Sequence, residues 1–238
     1  MRRTALNLVH TCVLLLCSLP AWSQSSLATQ PVNDVEREAL FPTKQLLDRG
    51  RDVAESACRD CHGADGVSSS PGIPNLAGQR TVYLYRVLQS YQSRERRNDA
   101  MNHAAGFLNS EALLAVSAYY ASQVPARPTT PEDEVYTAAA PGAGDPFAGI
   151  RDAMKKCVKC HGEDGNSSAS GMPNLSAQDP EYFVTSMKAY TDGNRNHKMM
   201  KKLVAGLDDE TLSDMGVFYA VQEPARTATV GDGNADLG

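Results

Sequence analysis

The 238 residues suffice for one large domain or two of about 100 residues, and a hydrophobic content of 42% is that of an ordinary globular chain. The formal net charge of −5 goes with no nucleic-acid partner. No apolar run of the ~18 residues that a membrane span requires follows the N-terminus.

The chain opens with "MRRTALNLVHTCVLLLCSLPAWSQ": two arginines, an apolar stretch too short to span a bilayer, then small residues at Ala21 and Ser23. This pattern predicts a signal peptide over residues 1–23, export to an extracytoplasmic compartment, and a mature chain without a transmembrane segment. Cys12 and Cys17 leave with it, so the mature chain keeps Cys58, Cys61, Cys157 and Cys160. Residues 24–43 read as a flexible extension.

From there the sequence is written twice. "CRDCHGADG" at Cys58 returns as "CVKCHGEDG" at Cys157, and the register of 99 residues holds without a gap. Gly50 falls on Gly149, "PNL" at Pro74 on "PNL" at Pro173, and Gln79, Tyr83, Tyr91 and Arg96 on Gln178, Tyr182, Tyr190 and Arg195. Met101 meets Met200, and Pro125 meets Pro224. Two units are too few for a solenoid. The repeat predicts two tandem domains, 44–125 and 147–225, joined by a Pro-, Ala- and Thr-rich linker over 126–146 and followed by a flexible tail at 226–238.

Each copy predicts helices and few strand signals, hence an all-α fold. One helix runs into the first cysteine, from about Leu46 to Cys61 and from about Phe147 to Cys160. A second covers "TVYLYRVLQSYQSRE" or "PEYFVTSMKAYTDG". A third starts after the cap-type residues Asn109-Ser110 or Asp208-Asp209. Gly50 and Gly149 either allow close crossing with the C-terminal helix near Tyr120 or Tyr219, or simply start a helix. Units this small and rich in loop bury little apolar surface and fold around something they do not encode.

Cys-x-x-Cys-His supplies that something. Cysteines at i and i+3 share a helix face with a histidine at i+4. Two thiols add to the two vinyl groups of a heme, and the imidazole ligates the iron, which is the c-type attachment pattern. A zinc half-site, a redox dithiol or a disulfide are alternatives for one copy; two copies, each with His62 or His161 following at once, favour heme. Downstream candidates for the second axial ligand are Met101, His103, His197, Met199 and Met200. The histidines do not recur in register, whereas Met101 and Met200 coincide, with Met199 as competitor in the second copy. Pro74 and Pro173 each stand twelve residues past the histidine, as turn formers whose carbonyl could also hold the ring.

With these motifs in place, about Leu46 to Pro224 resembles the tandem diheme class I cytochromes c of the c-four type. The resemblance implies two class I cytochrome c domains, each wrapped around one covalent heme c. It implies thioethers at Cys58, Cys61, Cys157 and Cys160, axial pairs His62/Met101 and His161/Met200, and Pro74 and Pro173 as the carbonyls that hold the histidines. It also implies a periplasmic electron carrier without catalytic residues. Its partners would be redox proteins: a membrane oxidase, a quinol-oxidising complex or a dehydrogenase. The same features fit a diheme subunit of a periplasmic dehydrogenase complex. They fit a diheme peroxidase poorly, since that needs an open iron position. Basic residues gather beside the motifs: Lys155, Lys156, Lys159, Arg195, Lys198, Lys201 and Lys202 in one copy, and Arg59, Arg94, Arg96 and Arg97 in the other. They form either a rim that steers an acidic partner or ordinary solvated helix faces.

Overall fold

The computed structural model describes residues 40–128 and 145–225. The expected signal peptide, most of the N-terminal extension, the linker from 129 to 144 and the tail lie outside the described residues. The first copy folds as α1 (Lys44–Ala57), α2 (Arg59–His62), α3 (Thr81–Gln92), α4 (Asp99–Gly106) and α5 (Ser110–Ala121). The second has a 3-10 turn (Ala148–Ile150), then α6 (Arg151–His161), α7 (Pro180–Thr191), α8 (Lys198–Val204) and α9 (Asp209–Ala220). The fold is all-α, in two helix clusters. Among the described residues no helix is long and apolar enough to cross a membrane.

The helix starts follow from side-chain caps. Asn109 and Asp208 accept from the backbone N–H three residues on, at 2.9 and 2.8 Å, and so set the first turns of α5 and α9. Asp179 does the same for α7 at 2.6 Å, with Pro180 at the first helical position, where its missing N–H costs nothing. Two helices were not expected. α4 and α8 carry Met101 and Met200, and their caps are Asn98, accepting from Met101 N at 3.0 Å, and His197, whose Nδ1 accepts from Met200 N at 3.2 Å. His197 is therefore a cap as well as an exposed residue.

The expected cysteine helix differs between the copies. In the first it breaks at Cys58 (φ −127°) and resumes as α2; in the second α6 runs unbroken to His161. Gly50 differs from Gly149 too. A Cβ on Gly50 would lie 2.1 Å from the Ala115 carbonyl oxygen, so α1 and α5 cross in backbone contact there. A Cβ on Gly149 would meet nothing within 4 Å. Behind these crossings the second copy packs one core of Ile150, Met154, Phe183, Met187, Tyr190 and residues of α9. The first packs two smaller groups, around Leu46, Val82 and Leu114 and around Ala54, Leu84 and Tyr120.

The clusters meet along a reciprocal seam. The Gln79 side chain donates to Asn174 O and accepts from Asn174 N, both at 2.9 Å. Its counterpart Gln178 does the same with Asn75, at 3.1 and 2.8 Å. Each glutamine amide thus pairs like a strand residue with a backbone segment of the other copy. Farther along, Arg96 and Arg195 face each other in an isolated antiparallel bridge, flanked by Arg97 N→Asn194 O (2.6 Å) and Asn196 N→Glu95 O (2.9 Å). Every residue of the amide exchange has its partner at the register of the repeat, as an isologous two-fold contact requires.

Candidate cofactor sites

Each site grows from one helix end and the loop after it. His62 and His161 are the last residues of α2 and α6, and both are buried. Gly63 and Gly162 end those helices at φ +78° and +81°, in space that a Cβ would fill against the carbonyls of Val67 and Asn166. The chain then folds back, with Leu76 N→Gly66 O and Leu175 N→Gly165 O each at 2.7 Å. Asn75 and Asn174 accept from the N–H of Ser68 and Ser167, and those serine hydroxyls donate to the carbonyls of Cys61 and Cys160. The loop is thereby tied to the cysteine motif in both copies.

This returns the proline carbonyl to the histidine. His62 Nδ1 lies 3.1 Å from Pro74 O, and His161 Nδ1 lies 3.1 Å from Pro173 O. A carbonyl only accepts, so Nδ1 carries the proton and Nε2 keeps a lone pair. Burial pushes both imidazole pKa values down, partly offset by the proline hydrogen bonds, and the Arg195 charge lowers His161 further. Each ring is held neutral and aimed as a nitrogen donor.

The four cysteines among the described residues are free thiols: Cys58 and Cys157 half-buried, Cys61 and Cys160 exposed. Burial pushes the Cys58 thiol up to about 11. Among the described residues no three His, Cys, Asp or Glu side chains converge as a metal set. Met101 and Met200 are both half-buried, and Met200 packs on the core of its cluster, whereas Met199 is 59% exposed. His103 is exposed, its ring edge-on to Phe107.

The donor set fits a heme in each copy. A neutral imidazole nitrogen, two unpaired thiols and a half-buried thioether recur at the same register. In the second copy the buried Tyr219 hydroxyl has no hydrogen-bond partner. One expectation needs correction: Arg96 and Arg195 are not part of an exposed basic rim. Arg96 is 6% exposed, and the two guanidinium groups are hydrogen-bonded to Tyr182 and Tyr83 across the seam. Lys155, Lys156, Lys159, Lys198, Lys201, Lys202, Arg59, Arg94 and Arg97 are exposed. Asn75, Gln79 and their counterparts recurred in the repeat, yet nothing local marked them as seam residues.

No protein-family model matches the chain. Among curated proteins it is 31% identical to cytochrome c4 of Thiocapsa roseopersicina over 179 residues, covering 71% of this chain and 88% of that one. It is 29% identical to a thiosulfate dehydrogenase electron acceptor of Stutzerimonas stutzeri over 195 residues, 78% of this chain and 88% of that one. Among solved structures, reduced recombinant cytochrome c4 from Pseudomonas stutzeri superposes with a TM-score of 0.62 at 22% identity, covering 74% of this chain and 98% of that one. The Cys-x-x-Cys-His pairs are consistent with two covalent heme c groups, and the likeness is to electron-transfer proteins rather than to catalytic ones. The chain belongs to the cytochrome c4 family of diheme class I cytochromes, with tandem heme-binding domains and a role in electron transfer.

Proposed function

We propose that this protein is a periplasmic carrier of single electrons with one heme c in each of two domains, 44–125 and 147–225. Cys58 and Cys61 hold one heme and Cys157 and Cys160 the other; the axial pairs are His62/Met101 and His161/Met200. The carrying observation is the duplicated imidazole, buried, fixed by Pro74 or Pro173, and left with Nε2 as its donor atom. Bound iron would cycle between ferrous and ferric states, and thioether ligation raises its potential. The chain's own part is to exclude water, hold both donors in place and present a docking face. Acid–acetone treatment of the purified holoprotein should leave all of its colour on the polypeptide. Colour extracted in proportion to one heme would remove the assignment for one motif.

A specific likeness favours one partner class. The relative from Stutzerimonas stutzeri is named as the electron acceptor of thiosulfate dehydrogenase, and the match covers 88% of it. We infer that this chain likewise takes electrons from a periplasmic dehydrogenase, as a free acceptor or as its diheme subunit. The exposed Lys156, Lys159, Lys198, Lys201 and Lys202 offer such a partner a positive face. Their steering weakens as the Debye length falls from ~10 Å at 0.1 M salt to ~3 Å at 1 M. Stopped-flow electron transfer with the physiological donor should slow as salt is added, and Lys201→Glu/Lys202→Glu should slow it at low salt. A second-order rate indifferent to ionic strength would leave these lysines as ordinary solvated charge.

A further inference from the structure

The turn after α3 and the length of α4 line a cleft of about 400 Å³ with Arg94, Asp99, Asn102, His103, Gly106 and Phe107. Phe107 is 77% exposed, and the His103 ring meets it edge-on at 4.8 Å between ring centres. A single exposed apolar side chain is ordinary, but the setting of this one is not. Arg94 stands at φ +59°, in the left-handed region that L side chains avoid, where the second copy makes its turn with Gly193 at φ +78°. The first copy thus keeps a charged side chain at a backbone cost. Arg94 and Asp99 are exposed, and neither forms an ion pair among the described residues.

The register of 99 residues places Gly193, Lys198, Lys201, Lys202, Ala205 and Gly206 at the same six positions of the second copy. Three lysines and no aromatic ring stand there, so two such ends repel each other. The α4 end offers one cation, one anion and an aromatic ring, a set that complements itself. Under a two-fold axis, Arg94 of one molecule meets Asp99 of the other, and the pairing occurs twice. Each Phe107 then faces the cleft of the opposite molecule.

Resting on the two-heme reading above, we propose that the α4 end is a docking surface for a second copy of this chain, and that electrons pass between carriers there. One electron leaves a ferrous site of one molecule and reduces a ferric site of the other, so reactants and products are the same pair. α4 also carries Met101, which places the contact beside the first of the two sites. Six residues a side are far fewer than the ~20–30 of a stable interface, so the encounter is brief, as in other electron-transfer pairs. The α8 end stays free for an acidic donor, and an electron accepted there passes to the next carrier from the other end.

The test is amide NMR of the labelled ferrous holoprotein at rising concentration, with electron self-exchange measured from line broadening in mixtures of reduced and oxidised protein. Concentration-dependent shifts should gather on residues 94–108. Phe107→Gly, which installs the residue of the second copy, should slow self-exchange about tenfold, as loss of a central aromatic anchor does. Arg94→Gly relieves the left-handed turn, so the roughly threefold slowing expected of it is not a folding defect. Arg94→Asp and Asp99→Arg should each slow the exchange, and the double variant should restore it, since the swap rebuilds both pairs. Asp99→Arg makes the chain less acidic, so overall charge alone would speed the encounter instead. Shifts centred on α8, a rate unchanged in Phe107→Gly, or a double variant no faster than either single one would overturn the proposal. Fewer than two covalent hemes in the parent protein would take down the two-heme reading, whereas the concentration-dependent shifts at α4 need no second heme and would stand.

Discussion

Met200→Ala should abolish the near-infrared methionine-to-iron band of one of two ferric sites, and Met101→Ala that of the other, while Met199→Ala leaves both. The two adjacent methionines of α8 differ in environment: Met200 is half-buried on the core that includes Phe183 and Tyr190, whereas Met199 is 59% exposed. Loss of a thioether ligand also lowers the midpoint of the affected heme by an amount on the order of 100 mV, a fraction of the ~0.8 V that axial ligation spans. A spectrum in which Met199→Ala, not Met200→Ala, loses the band would reassign the second site.

Gly50→Ala should be among the most damaging conservative changes in the chain, and Gly149→Ala among the mildest, though the two glycines occupy one position of the repeat. The new methyl at residue 50 would stand 2.1 Å from the Ala115 carbonyl oxygen and 2.7 Å from Tyr119 Cβ. These are atoms of a packed helix, so α1 and α5 must separate. Overpacking of this kind costs about 3 kcal/mol, enough to lower the melting midpoint by roughly 10 °C. At residue 149 the methyl enters open space, and the change should stay within about 0.5 kcal/mol. Thermal denaturation of the two holoprotein variants checks both, and equal losses would mean that the α1–α5 crossing is looser than described.

That contrast shows what the sequence could convey. Features that depend on a few neighbouring residues were legible: the Cys-x-x-Cys-His spacing, the caps Asn109 and Asp208, and the proline twelve residues past each histidine. The short helices α4 and α8 were not, because 8 and 7 residues carry too little apolar periodicity to be seen. Arg96 and Arg195 were visible as charges, but what covers them belongs to the other copy: Tyr182 lies 86 residues from Arg96 along the chain, and Tyr83 lies 112 residues from Arg195. Gly50 and Gly149 were indistinguishable as letters. What separates them is whether another helix passes within contact distance. The glutamine exchange was the hardest to foresee, since Gln79 and Gln178 behave there as pieces of backbone.

The same exchange bears on how such a chain could arise. Because Gln79 treats Asn174 as Gln178 treats Asn75, the seam asks nothing of one half that it does not ask of the other. Two separate copies of such a half could meet in the same way, and joining them in one chain adds a tether rather than a contact. Val87 and Ser186 occupy one register of the repeat, and there the two halves differ: one side offers a hydroxyl that both arginines reach.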